Sequence, residues 1–261
     1  MSHHIVAAVD LSYTYPDGTV GLNGISFRIV HGESVAIVGE NGAGKSTLLL
    51  HLNGYLSPAK GSVHIGDHTI TKKNIQAVRR SVGMVFQNPD DQLFMPTVFD
   101  DIAFGPLNLG YTKEEAQAKV QEVLQTVQME HLAQRPPYKL SQGEKRSVAI
   151  AAVLAMSPDI LVMDEPTASL DPLSRRDLIR LLRKFQHTKI IATHDLDMVM
   201  DVCTRTIVLH KGRIAADGPT KDILLDEDLL RRSKLEKPLS MQNCPACGTS
   251  KQANKHQSFV E

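Results

Sequence analysis

Apolar positions along this chain recur with two periods, and each period marks a different element. Ile25, Phe27 and Ile29 alternate with Ser26 and Arg28, the two-residue period of a half-buried strand. Val6 to Leu11 reads as a strand before it, closed by the turn signal Tyr13-Thr14-Tyr15-Pro16-Asp17-Gly18. Ser34 to Val38 and Ile160-Leu161-Val162-Met163 are unbroken apolar runs, the mark of strands buried on both faces. Between Gly61 and Val85 the pattern predicts two strands and a helical turn, the last strand running from Val82 to Phe86 and ending at Gln87.

The period then lengthens. Val120, Val123, Leu124 and Val127 sit at i, i+3, i+4, i+7, behind the capping box Thr112-Lys113-Glu114-Glu115. A second helix is predicted from Gln142 to Met156, stopped by Ser157-Pro158. Residues 88–157 thus form a helical subdomain inserted into an α/β core. The core resumes with a helix from Pro172 to Phe185, a strand from Lys189 to Ala192, and a strand pair, Thr206–Leu209 and Arg213–Ala216, around Lys211-Gly212. Strands alternating with helices imply a mainly parallel sheet covered on both faces, with an antiparallel β part at the N-terminus. Leu225 to Arg232 is expected to form one helix, and residues 237–261 a tail without regular structure.

Composition narrows the class. At 261 residues, 42% hydrophobic and 22% charged, the chain suits one large globular unit, here expected over residues 1–236. Lys+Arg 29 offsets Asp+Glu 29, which argues against a dominant nucleic-acid surface. The longest apolar run is Val148 to Met156, less than half of the roughly 20 residues a bilayer span needs. No secretory signal is expected in Met1-Ser2-His3-His4-Ile5, and three cysteines suggest no disulfide framework. Cys244-Pro245-Ala246-Cys247 supplies only two of the four ligands a structural zinc site takes. A second tail or His256 could complete it; an unstructured tail is the default reading.

Three stretches carry chemistry. Gly39-Glu40-Asn41-Gly42-Ala43-Gly44-Lys45-Ser46-Thr47 fits G-x-x-x-x-G-K-[ST] without mismatch, between a strand and a helix. Its backbone N–H groups can wrap a phosphate chain, Lys45 can reach the β- and γ-phosphates, and Ser46 can ligate Mg²⁺. The helix from Lys45 to about Asn53 presents its positive end to the anion. Asp164-Glu165-Pro166 follows the Ile160–Met163 strand, so two carboxylates stand at a sheet's C-terminal edge, where α/β folds bind ligands. Asp164 suits Mg²⁺, and Glu165 suits polarising a water. Leu140-Ser141-Gln142-Gly143-Glu144-Lys145-Arg146 opens a helix, with Ser141 as a good cap.

These stretches, with Gln87, Ser169-Leu170-Asp171 and His194 in this order, resemble the ATP-binding-cassette ATPases over residues 5 to 225. The resemblance implies adenine stacking on Tyr15, and Gln87 sensing Mg²⁺ and the attacking water. It implies Glu165 as general base, His194 as a switch near the γ-phosphate, and the Asp171 loop as a link across a dimer. Two copies would face head to tail, so that Ser141, Gly143 and Glu144 of one act in trans on ATP held by Lys45 of the other. The family's common signature is Leu-Ser-Gly-Gly-Gln; here Gln142 replaces the first glycine and Glu144 the glutamine. A carboxylate near phosphate is unfavourable unless Lys145 or Arg146 offsets it.

Val85-Phe86-Gln87-Asn88-Pro89-Asp90-Asp91-Gln92-Leu93-Phe94 and Phe104-Gly105-Pro106-Leu107-Asn108-Leu109-Gly110 further resemble energy-coupling-factor transporter ATPases, the cobalt and nickel branch above all. That implies a peripheral protein on the cytoplasmic face of a membrane, partnered by an integral scaffold subunit and a substrate-specific subunit, with no nucleic acid. A nickel or vitamin importer is the nearest alternative. A soluble cassette acting on nucleic acid or the ribosome is a further one, less suited to a single cassette with no charge excess.

Overall fold

The computed structural model describes residues 4–242. Two sheets make its core. Strands β1 (His4–Thr14), β2 (Val20–Val30), β4 (Lys60–Ile65) and β5 (His68–Thr69) form an antiparallel sheet in the order β2-β1-β4-β5. The second sheet has six strands in the order β10-β9-β3-β8-β7-β6. These are β10 (Arg213–Pro219), β9 (Arg205–His210), β3 (Ser34–Val38), β8 (Thr188–Ala192), β7 (Ile160–Asp164) and β6 (Val82–Val85). All its pairings are parallel except β10 with β9. The mainly parallel sheet and the antiparallel N-terminal part are therefore both present.

The two faces of the parallel sheet follow from strand alternation. Ile37, Val162, Ile190 and Ile207 pack toward the antiparallel sheet and Leu48, Leu49 and Leu52 of helix α1 (Lys45–Leu52). Their neighbours Val38, Leu161, Met163 and Ile191 pack against helices α6 (Pro172–Lys184) and α7 (Leu196–Val202). Helix α1 thus lies between the two sheets, which fixes the phosphate loop at its N-terminus.

The helical subdomain holds α3 (Val98–Asn108), α4 (Lys113–Val127) and α5 (Gln142–Leu154) around Ile102, Val120, Leu124 and Val148. The Thr112–Glu115 capping box of α4 forms in both directions. Helix α5 belongs to both bodies. Val148, Ala149 and Ala151 face the subdomain, while Ile150 and Val153 enter the core behind the sheet.

Several boundaries differ from the pattern. The segment 61–85 holds three strands and helix α2 (Ile75–Ser81); the extra strand β5 is two exposed residues, too short to show a period. Helix α5 stops at Leu154, two residues early. The helix expected over 225–232 is present as α9 (Glu227–Arg232), two residues late, and a further helix, α8 (Thr220–Leu225), precedes it. Asp226 separates them because its carboxylate accepts the Leu229 N–H at 2.9 Å and starts a new helix. Cys203 falls just beyond α7, buried, where desolvation pushes its thiol up to about 12. At 239–241 a short 3-10 turn forms, and the N–H groups of Leu239 and Ser240 donate to Asp197. Cys244, Cys247 and His256 lie outside the described residues, and no group among the described residues has the makings of a His, Cys, Asp and Glu metal cluster. No described helix is long and apolar enough to cross a membrane.

Leu49 is fully buried between the sheets, whereas Leu239 is 77% exposed. Leu49→Ala should cost about 2–5 kcal/mol of unfolding free energy in urea titration, and Leu239→Ala less than about 0.5 kcal/mol.

Candidate functional site

The site grows from the C-terminal ends of β3, β7 and β8. After Val38 the chain turns through the phosphate loop into α1, whose N-cap is Gly44 at φ +104. A side chain there would start 2.4 Å from the Gly21 carbonyl oxygen, so the position demands glycine twice over. Lys45 is buried. Its ammonium donates to the carbonyls of Gly39 at 2.9 Å and Glu40 at 3.2 Å, and lies 3.9 Å from Glu165 Oε1. Beside the loop, the Tyr15 hydroxyl meets Thr47 Oγ1 at 2.8 Å, and the Tyr13 ring stands edge-on to Tyr15. Glu40 turns outward to Lys234, 2.7 Å away, and to His210.

Asp164 closes β7 and is buried. Desolvation raises its pKa, opposed in part by the nearby Ser46 hydroxyl. Among the described residues its Oδ1 is buried without a partner. A carboxylate oxygen left unpaired beside a serine hydroxyl is the donor set a hard divalent cation takes. Glu165 follows in a left-handed conformation, φ +46, which is unusual outside glycine. Its N–H donates to Ala192 O at 2.8 Å. Its Oε2 accepts from Thr193 Oγ1 at 3.1 Å and from the His194 N–H at 3.2 Å, and lies 2.8 Å from His194 Nδ1. The His194 ring is otherwise exposed.

A cleft of about 490 Å³ collects Tyr15, Asn41, Lys45, Ser46, Gln87 and Glu165 along its walls. Asp164 and His194 join through Ser46 and Glu165. Ser141, Gly143 and Glu144 are absent from this cleft. They stand at the N-terminus of α5, where Ser141 is exposed. Glu144 folds back: its Oε2 accepts the Ser141 N–H at 2.7 Å, and the Ser141 oxygen accepts the Glu144 N–H at 3.3 Å. Its pKa falls below the ordinary value chiefly because of that Ser141 N–H. The expected offset by Lys145 or Arg146 is not how the charge is handled. Lys145 pairs with Asp90 at 2.6 Å, and Arg146 donates to the carbonyls of Phe86 and Gln87. A signal for the cap was present: Ser141-x-x-Glu144 repeats the spacing of Thr112-x-x-Glu115. The Glu40–Lys234 contact joins positions far apart in the chain, and no local pattern announces it.

The ABC transporter family profile matches residues 22–168. The chain belongs to the ABC transporter family. A Geobacter sulfurreducens relative with the general name of an ABC transporter ATP-binding protein is 65% identical over 95% of this chain and all of its own length. The energy-coupling factor transporter ATP-binding protein EcfA of Methanocaldococcus jannaschii is 48% identical over 90% of this chain and 86% of its own. Among solved structures, cbiO1 from Clostridium perfringens, part of the ABC transporter complex cbiONQ, superposes with a TM-score of 0.78 at 39% identity, covering 88% of this chain and 94% of its own. A dimeric ATP-binding cassette in a post-hydrolysis state with ADP and phosphate gives 0.75 at 28%, covering 82% and 98%. The cassette therefore binds ATP and is the ATPase of a transporter, and the α/β phosphate-loop architecture follows that of its neighbours.

The Ser141–Glu144 cap generates a pH signature. Because the folded pKa of Glu144 is depressed, its ionic contribution is present above the ordinary value of 4.5 and is lost as pH falls through the lower folded value. Glu144→Gln keeps the reciprocal cap without the charge, so its stability relative to the parent should be constant at neutral pH. The gap should close below about pH 4. Glu144→Ala should cost about 1 kcal/mol at neutral pH, read by thermal or urea unfolding.

Proposed function

We propose that this cassette is the ATPase subunit of an energy-coupling-factor-type importer, with cobalt as the first cargo to test and nickel or a vitamin as alternatives. The observation that carries this is the 48% identity to EcfA over nine-tenths of the chain, with cbiO1 as a structural neighbour. The surface near Gln87 supports it. Leu93 and Phe99 join the subdomain core, but Phe94 is 65% exposed and stacks edge-on with the exposed Phe104. Together they line a groove of about 550 Å³ with Leu109 and Met156, and Arg79 and Arg80 at its side. An exposed aromatic pair in a groove suits a helix from an integral scaffold subunit. That partner, with a substrate-specific subunit, would hold the cassette peripherally on the cytoplasmic face of the membrane. The balanced charge gives no support to a nucleic-acid surface.

In this reading ATP lies in the cleft with adenine against Tyr15 and its phosphates in the loop 39–47. Lys45 exchanges its loop carbonyls for β- and γ-phosphate oxygens and offsets the charge that develops there. Glu165 takes a proton from the attacking water as the new oxygen–phosphorus bond forms and the bond to the β-phosphate oxygen breaks. His194, bonded to Glu165, faces the γ-phosphate, and Gln87 orients the water. Ser46, Asp164 and Gln87 would hold Mg²⁺, which when bound neutralises phosphate charge. The unpaired Asp164 oxygen fits it. Ser141 and Gly143, remote from the cassette's own cleft, serve the ATP of a second copy placed head to tail, with Glu144 engaged at the cap.

Glu165→Gln should lower turnover by about 10²–10⁴-fold and leave an ATP-bound dimer that gel filtration resolves; unchanged hydrolysis would remove Glu165 from the role of base. Tagged cassette purified from detergent-solubilised membranes should bring down an integral protein. Its absence would remove the importer reading, and uptake of cobalt, nickel or vitamin by cells carrying the whole system would decide the cargo.

A further inference from the structure

Helix α5 is fastened to the segment 86–92 at three places. Arg146, 3% exposed, donates from Nη1 to the Phe86 carbonyl at 2.7 Å and from Nη2 to the Gln87 carbonyl at 2.5 Å. Lys145 reaches Asp90 at 2.6 Å. Gln92 donates to the Ala149 carbonyl at 2.9 Å while accepting the Phe86 N–H at 3.3 Å. Along an extended strand successive carbonyls point to opposite sides. One guanidinium meeting both Phe86 and Gln87 therefore holds the chain in the bend where it leaves β6, which ends at Val85. The side chain of that same Gln87 lines the ATP cleft.

Packing is a poor explanation for Arg146. Burial disfavours the Arg146 charge, the nearby carboxylates of Asp164 and Glu165 offset that only in part, and its Nε has no partner in the described residues. The fork does what no apolar group can: it binds two carbonyls of adjacent residues, and its planar donors hold them at a fixed spacing that a freely rotating ammonium does not impose. Ser141 caps the same helix a little over one turn earlier.

We propose that Arg146 is a positioning residue that makes Gln87 and the Ser141–Gly143 segment one rigid body. Nucleotide contacts at Gln87 of one site then reset the signature segment that the same chain offers to the other site, and the two sites become cooperative. This rests on the proposed trans placement of Ser141 and Gly143.

The test compares the full-length cassette dimer with Arg146→Lys, which keeps the charge but loses the planar fork, and with Lys145→Met, which removes only the Asp90 contact. ATP hydrolysis is followed against ATP concentration. The parent should give a Hill coefficient approaching 2 for two coupled sites, and Arg146→Lys should bring it to about 1. Its kcat should fall about tenfold while half-saturating ATP changes less than about threefold. Lys145→Met should move both quantities in the same direction by less, which guards against a fold effect in the Arg146 variant. A purely structural role would shift the unfolding midpoint and leave the Hill coefficient of the folded fraction intact; that result overturns the proposal. So does an unchanged Hill coefficient in both variants. ATP-driven dimer formation by Glu165→Gln separates the two readings. If that dimer forms and Arg146→Lys keeps its cooperativity, the rigid-body inference fails alone. If the dimer never forms, the trans placement fails and the inference with it.

Discussion

Two hydrogen bonds just past the strand ladder hold the proposed ATP site together. Thr193 donates its N–H to Ile37 at the end of β3, and Glu165 donates its N–H to Ala192 at the end of β8. Three parallel strands are thus tied at one level. Lys45 rises from the loop after β3 and Glu165 from the end of β7, and their charged groups come within 3.9 Å. The geometry has a cost. Glu165 sits at positive φ, and Asp164 carries a buried oxygen without a partner among the described residues. Strain and an unpaired carboxylate at one strand end are what a reaction centre retains and a plain sheet edge does not.

The parallel sheet explains why these bonds are available. Its strands are buried on both faces, so their carboxyl ends form one rim. Helix α1, packed between the two sheets, brings the phosphate loop to that rim and leaves it little freedom. The helical subdomain meets the sheet mainly through α5, whose Ile150 and Val153 enter the core behind the sheet while Val148 and Ala149 stay in the subdomain. A helix shared in this way joins the proposed nucleotide rim to the subdomain that carries the groove of Phe94 and Phe104.

Much of this was legible in the residues. The two apolar runs at Ser34–Val38 and Ile160–Met163 announced buried strands, and the glycine spacing and Asp164-Glu165 announced the rim. The limits have physical causes. β5 is too short to carry a period, and Asp226 restarts a helix through its own carboxylate, which an apolar pattern does not register. The cap at Ser141 was readable too, and its reciprocal half at Glu144 carries the same spacing as Thr112–Glu115. Arg146 was the least legible. Its carbonyl partners lie some sixty positions away in the sequence, and only the fold brings them together.

In the proposed head-to-tail dimer each chain carries half of each site. This sharing is tested by mixing two inactive full-length chains, Lys45→Ala and Ser141→Arg. In a head-to-tail dimer the mixed pair concentrates both lesions in one site and leaves the other whole. ATP hydrolysis should therefore reappear on mixing, well above the sum of the two variants alone. If the mixture stays as inactive as its parts while both chains remain folded and dimeric, the head-to-tail sharing of sites is wrong.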